Sequence, residues 1–120
     1  NENSLVYKLC CKEFSMLFCG DIEEKAERLL PDIYGNALRA DVLKVPHHGS
    51  ASATSDALLE AVQPQYAVIS SGEDRNLLPR NETLKLLGDH GVEIFRTDEN
   101  GGIAILTDGA ETKIHTENGK

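Results

Sequence analysis

The stretch that most constrains the fold spans residues 41–50 and reads Asp-Val-Leu-Lys-Val-Pro-His-His-Gly-Ser. Its first half is a short apolar run, which is typical of a buried strand. Pro46 ends that run, and two imidazoles, His47 and His48, follow directly. Gly49 permits a tight turn after them, and the hydroxyl residues that come next can cap a helix. The pattern predicts a strand, a histidine-bearing turn and a helix in that order.

A second stretch upstream has the same design. Residues 14–19 form an apolar run, and Gly20 and Asp21 follow it. Because the carboxyl ends of strands in layered α/β folds converge on one edge, we expect Asp21, His47 and His48 to lie near each other. A carboxylate with imidazoles suits zinc, manganese or iron. From position alone, the favoured role of Asp21 is the N-cap of the helix that follows it, and the neighbouring motifs weaken that preference.

The order of predicted elements is a β-hairpin, three alternations of helix and strand, and a second β-hairpin. This order favours a layered α/β fold with a mixed sheet and helices on one or both faces, as one domain over residues 1–120. The predicted strands are 4–10, 14–19, 42–45, 66–69, 92–95, 103–106 and 111–115. The predicted helices are 22–30, 56–62 and 82–90. Pro31 is predicted to end the first helix, and Asn81 is the candidate cap of the third. Residues 32–40 and 70–80 are predicted loops, and 116–120 a disordered tail.

Composition excludes some classes of function. The 120 residues carry a formal net charge of −8, so the chain lacks the basic footprint of an autonomous DNA-binding domain. It has neither a signal peptide nor an apolar run of about 18 residues, so no segment is expected to target or span a membrane. Since it begins within a strand pattern, we expect an excised segment of a longer protein. The three cysteines, Cys10, Cys11 and Cys19, are predicted to be buried and free of disulfides.

Taken together, the motifs resemble a known family. They are Asn-Glu-Asn-Ser-Leu-Val at 1–6, Phe-Cys-Gly-Asp at 18–21, the block at 41–50, and Arg-Thr-Asp-Glu-Asn-Gly at 96–101. In this order they resemble the second half of a metallo-β-lactamase-fold domain, of the variant found in ComEC-type DNA-uptake channel proteins. The resemblance covers essentially the whole chain. It implies half of a four-layer αββα sandwich, in a domain of a bacterial membrane protein.

The resemblance also implies roles for residues. Asp21 is expected to be a metal ligand that bridges two zinc or manganese ions, and His47 or His48 to complete the second ion; which of the two histidines ligates is left open. Asp21 and His48 are the expected catalytic residues, and the reaction is phosphodiester hydrolysis, on the DNA strand that is not imported. Gly49 and Ser50 are expected to orient the histidines or contact a phosphate, although Ser50 also suits a helix cap or turn.

Two departures from the family pattern bear on activity. The principal metal motif of the family, His-x-His-x-Asp-His, is absent from the 120 residues. A loop that carries Gly-His-Pro in many relatives reads Arg-Asn-Leu-Leu-Pro-Arg at 75–80. Because each ion needs about four ligands, Asp21 and one or two imidazoles are too few. We therefore expect the isolated chain to be catalytically silent, whatever the parent domain does.

Alternatives stay open at this point. The chain could belong to a degenerate scaffold domain of a membrane DNA channel, or to a hydrolase with another substrate, such as a phosphocholine esterase or a lactonase. The expected partners are the missing first half of the domain, a phosphodiester such as DNA, and a second copy of this chain that covers the exposed sheet face. His90, His115 and the turn at 96–100 are predicted to be structural.

Overall fold

The computed structural model describes residues 6–20, 24–50, 54–71 and 79–118. The described strands are β1 (Tyr7–Cys11), β2 (Phe14–Phe18), β3 (Val42–Lys44), β4 (Tyr66–Ile69), β5 (Glu93–Arg96), β6 (Ile103–Thr107) and β7 (Thr112–Thr116). The described helices are α1 (Glu24–Tyr34), α2 (Asp56–Val62), α3 (Asn81–Asp89) and the single turn α4 (Thr97–Asn100). Short 3-10 turns occupy Gly35–Leu38 and Pro46–Gly49.

The central sheet has five strands in the order β1-β2-β3-β4-β5. The first pair is antiparallel and the other three pairs are parallel, so the sheet is mixed. The α/β prediction is thus confirmed. Because β2 to β5 run in the same direction, their carboxyl ends meet at one edge of the sheet, which we call the carboxyl edge.

The two faces of the sheet are covered by different elements. On one face, Leu17, Leu43 and Ile69 pack in a core with α2 and α3. On the other face, Met16 and Val42 lie in a smaller cluster with Ile103 and Ile105 of the β6–β7 hairpin. Leu43 and Val42 are both fully buried although they are neighbours, which explains the continuous apolar run of β3.

Helix α1 corrects two predictions. It continues through Pro31 to Tyr34, and a 3-10 turn follows, so residues 32–40 are mostly helical rather than a loop. Pro31 lies in the last turn, where its ring costs one hydrogen bond and its fixed φ is compatible with a helix. The spacing of Ile22, Ala26, Leu29 and Leu30 predicts one buried face of this helix. The structure differs, because Leu29 is 54% exposed whereas Glu27 is only 1% exposed.

Other element boundaries need smaller corrections. Asn81 is the first residue of α3 rather than its cap; Arg80 holds the cap position and makes no capping side-chain bond. The predicted tail begins too early, since Thr116 is in β7 and the amides of Glu117 and Asn118 bond to the carbonyls of residues 102 and 100. The predicted helix at 56–62, the strand at 66–69 and the final hairpin are confirmed.

The cysteines divide into two environments. Cys19 is fully buried, as predicted, but Cys10 and Cys11 are exposed. The prediction for this pair is wrong because β1 is the edge strand of the sheet, and all five of its residues are exposed. Across the described part of the chain, every helix is too short or too polar to span a lipid bilayer.

Candidate functional site

Polar turns follow the parallel strands at the carboxyl edge. After β2 the chain passes through Cys19 and Gly20 toward residues 21–23, which lie outside the described residues. After β3 comes the Pro46–Gly49 turn, after β4 the pair Ser70 and Ser71, and after β5 the turn α4. The segments that contain the candidate site residues predicted from the sequence therefore lie at or lead from one edge of the sheet.

His48 is held at this edge by its backbone and by its ring. Its φ of +53° is in the left-handed region, which a non-glycine residue adopts at a cost of about 1 kcal/mol. Its Nδ1 lies 2.7 Å from the carbonyl oxygen of Ser70. Because a carbonyl can only accept, Nδ1 carries the proton, and in the neutral ring Nε2 keeps its lone pair. Metal-binding histidines commonly donate their other ring N–H to a carbonyl oxygen in this way, which fixes the orientation of the ring. His48 shows this contact, and the residue is exposed.

The turn that carries His48 is fixed from below by α3. The amide of Arg80 donates to the carbonyl of Gly49 at 3.0 Å, and the hydroxyl of Thr83 donates to the carbonyl of Ser50 at 3.3 Å. Gly49 has a φ of +85°, and a Cβ there would lie 2.5 Å from the Cβ of Pro79. Only glycine meets both conditions, so the Gly49 that follows the two histidines is a packing requirement.

The ends of β4 and β5 are joined by a reciprocal pair of hydrogen bonds. The hydroxyl of Thr97 donates to the carbonyl of Ser71 at 2.6 Å and accepts from the amide of Ser71 at 2.7 Å. Next to it, Arg96 binds Asp98 through two bonds of 3.0 and 2.7 Å. The hydrogen bond from Arg96 holds the pKa of Asp98 below its usual value. Arg96 also lies 3.2 Å from Glu99, so its charge is neutralised within this turn.

The predicted site residues have different outcomes. Asp21 lies outside the described residues. The backbone of His47 is in the Pro46–Gly49 3-10 turn, so the predicted histidine-bearing turn is present. The side chain of His47 is outside the description. His90 is paired through Nε2 with Asp56, the first residue of α2, at 2.8 Å. His115 is exposed on β7.

The described residues fit only part of a metal centre. Among them, no group of three or more histidine, cysteine or acidic side chains is placed to hold an ion. What they supply is one oriented imidazole, His48, at the edge toward which the Gly20 turn leads. The expectation that most ligands of the parent domain lie outside this chain stays a prediction.

Sequence reasoning missed two contributors beneath this edge. Glu27 of α1 is buried, and one of its oxygens accepts a 2.5 Å hydrogen bond from Ser55, the N-cap of α2. A signal was present, because Glu27 stands three residues before Leu30 and so shares its side of the helix. The carbonyl of Ser70 carries no signal in the residue type, since any residue provides one.

Comparison with known proteins gives consistent matches. The chain is 38% identical over 104 residues to ComE operon protein 3 of Bacillus subtilis and 35% identical over 104 residues to competence protein ComA of Neisseria gonorrhoeae; each alignment covers 86% of this chain. It is 42% identical over 72 residues, 60% of this chain, to recombination protein 2 of Haemophilus influenzae. No protein-family model matches. The aligned segment spans 13%, 15% and 9% of these three relatives, so the chain corresponds to a small part of each.

By its fold and these matches, the chain is an α/β segment that is homologous to bacterial competence proteins. More narrowly, it belongs to the ComEC-type competence proteins, of which it represents one segment.

Proposed function

We propose that this chain is part of a metal-dependent phosphodiesterase or nuclease domain that acts in DNA uptake. The observation that carries the proposal is the orientation of His48 at the carboxyl edge, in a chain homologous to competence proteins. The motif at 41–50 supplies this histidine, and the motif at 18–21 leads to the same edge. The parent is proposed to be a membrane protein of which this segment forms a domain outside the bilayer.

The residues of this chain would hold only a share of the proposed group. Asp21 and His48, with or without His47, would provide ligands, and the remainder would come from the upstream half of the domain. When bound, two zinc or manganese ions would supply Lewis acidity toward a phosphoryl oxygen and a nucleophile at neutral pH. The protein's contribution is positional: the Ser70 carbonyl holds the proton of His48 on Nδ1 and orients the ring, and the contacts from Arg80 and Thr83 keep its turn in place.

The proposed partner of the sheet is the upstream half of the same domain. On the face that carries Met16, the β6–β7 hairpin leaves Tyr7 51% and Leu9 55% exposed. Tyr7 stacks on Phe18 with ring centroids 4.8 Å apart, which continues the apolar surface onto β2. Such a surface favours a protein partner. The chain aligns with only a small part of each relative, and this favours another part of the parent protein as the partner of this surface. The alternative partner is a second copy of this chain, which would make a homodimer.

The test compares this chain with a longer protein that includes the upstream half. We expect the longer protein to cleave an end-labelled DNA oligonucleotide when supplied with Mn²⁺, and the 120-residue chain to be inactive. His48→Ala is expected to lower kcat/KM by at least about 100-fold, since loss of even an outer partner of a metal ligand costs about 10–100-fold. His115→Ala is the matched control, because it removes an exposed imidazole that lies on β7 and not on a turn directly following β2 or β3.

Two results would overturn the proposal. A folded longer protein that fails to cleave with either zinc or manganese would favour a scaffold domain, which the replacement of the Gly-His-Pro loop also suggests. Cleavage that is unchanged by His48→Ala would remove the site from this edge. Hydrolysis of a phosphocholine ester or a lactone, but not of DNA, would retain the site and change the substrate.

A further inference from the structure

Strand β1 forms an open edge of the central sheet, because its outer side meets no strand in the part of the chain that the structure describes. Such an edge offers unpaired backbone donors and acceptors, and proteins usually protect it with charges, prolines or bulges. Strand β1 reads Tyr-Lys-Leu-Cys-Cys and pairs with β2 residue for residue, without a bulge. Its one charged residue, Lys8, donates from Nζ to the carbonyl of Ala37 at 3.1 Å, which draws the charge away from the strand. The edge is therefore open to pairing with another strand.

Helix α1 carries an exposed apolar side. Its residues Leu29, Ile33 and Tyr34 are 54%, 65% and 56% exposed. Leu29 and Ile33 are four residues apart, so they lie on the same side of the helix. Glu27 contacts Ser55, the N-cap of α2, and Leu29 lies about 200° around the helix from Glu27. The apolar side of α1 is therefore turned away from α2.

The contacts of α1 place it beside the open edge. Lys8 of β1 reaches the 3-10 turn that follows α1. A cavity of about 260 Å³ lies between the strands and the helix, and Leu17 of β2 lines it together with Leu30 and Tyr34 of α1. Because α2 lies on the inner side of α1, the apolar side of α1 and the edge of β1 are on the same side of the molecule.

We propose that β1 pairs antiparallel with β1 of a second copy of this chain, about a two-fold axis at Leu9. In this register Leu9 lies opposite its own equivalent, and Lys8 and Tyr7 lie opposite Cys10 and Cys11 of the second copy. Like charges are therefore not opposed along the joined strands. This inference goes beyond the proposed metal site and does not depend on it.

A second copy accounts for both exposed features at once. The two-fold axis of such a pair stands perpendicular to the sheet, so both α1 helices lie on the same face, one on each side of the joined edges. Their apolar sides then face each other across the axis. A strand from another part of the parent protein would pair with the edge but leave Leu29 and Ile33 exposed. The upstream half proposed above covers the opposite face of the sheet, so both partners can bind together.

The test is sedimentation equilibrium of the 120-residue chain in a reducing buffer, so that the exposed Cys10 and Cys11 form no covalent link. We expect a dimer at about 100 µM that dissociates on dilution. Leu9→Asp places like charges opposite each other at the axis, and Ile33→Asp places a charge on the apolar side of α1. Each should raise the Kd of the dimer at least about tenfold. Leu106→Asp is the matched control, because Leu106 is 59% exposed on β6, and it should leave the Kd unchanged.

A disulfide cross-link tests the register. Residues directly opposite in an antiparallel pair have Cα atoms about 4.5–5.5 Å apart, which a disulfide can bridge. In a chain with Cys10→Ser and Cys11→Ser, Leu9→Cys should give a covalent dimer on mild oxidation. Leu106→Cys in the same background should leave the chain monomeric in a denaturing gel.

Three results would overturn the proposal. One is a folded monomer at about 100 µM, with folding verified by circular dichroism. Another is a dimer whose Kd is raised by Leu9→Asp but not by Ile33→Asp, because that contact would use the face of the sheet that carries Met16 instead of the edge. The third is a dimer that Leu9→Cys does not cross-link. These outcomes involve neither metal nor DNA cleavage, so the dimer and the proposed function can fail separately.

Discussion

The Ser55→Ala substitution tests how the two helices beneath the site are stabilised. Removing the hydroxyl removes an N-cap, worth about 1 kcal/mol, and a hydrogen bond to the buried carboxylate of Glu27, worth about 2 kcal/mol. The total of about 3 kcal/mol is large because the carboxylate is 1% exposed and water cannot replace the lost donor. For a chain of 120 residues, about 4 °C accompanies each kcal/mol, so Tm should fall by about 12 °C.

The assay is thermal unfolding followed by circular dichroism at pH 7, with urea unfolding as a second measure. Ser55→Thr keeps the hydroxyl and should stay within about 0.5 kcal/mol of the unchanged chain. Ser55→Gly removes both bonds, but glycine is itself a tolerated N-cap, so its loss of stability should fall between the other two. A Ser55→Ala variant whose Tm falls by less than about 4 °C would refute the reasoning.

Two further predictions follow from particular contacts. Gly49→Ala should destabilise the fold by about 2–4 kcal/mol, because it combines a positive φ with a Cβ only 2.5 Å from the Cβ of Pro79. Gly88→Ala, on a helix with open space around the residue, should stabilise the fold by about 0.5–1 kcal/mol. Urea unfolding of both variants measures the two changes, and equal changes in the free energy of unfolding would contradict the prediction. Burial raises the pKa of Cys19 from 9.0 to about 12, so above pH 9 the unfolded chain loses this proton while the folded chain keeps it, and stability falls as pH rises. Between pH 8 and pH 10 the free energy of unfolding should decrease by about 1–2 kcal/mol more in the unchanged chain than in Cys19→Ala. In the folded chain at pH 8, iodoacetamide should modify only the two exposed cysteines of β1. Equal pH dependence of the two unfolding free energies, or modification of Cys19, would contradict the raised pKa.

Much of the fold was predictable because the strands are short apolar runs ended by strong local signals. The helix at 56–62 and the strand at 66–69 were predicted with their observed bounds, and each has a proline or a capping serine at its border. Helix α1 was predicted less well. The sequence predicts a stop at Pro31, but α1 continues to Tyr34, and the packing of Leu30 and Leu38 against the core offsets the hydrogen bond that the proline ring removes.

The candidate site was predictable in its location and not in its contacts. The residues after β2 and β3 identify an edge, since strand direction alone brings them together. One partner of His48 is a backbone carbonyl, and the turn that carries His48 places Gly49 against Pro79. These are tertiary contacts between segments about 20–30 residues apart, which local sequence patterns do not encode.

The most direct test of the central claim is the metal content of the longer protein, measured by elemental analysis after purification with zinc and manganese. The account predicts two ions per molecule, with loss of bound metal on Asp21→Ala or His48→Ala and no change on His115→Ala. A folded longer protein that contains no metal, or that retains both ions in the Asp21→Ala and His48→Ala variants, would contradict the claim that this edge of the sheet is part of a metal centre.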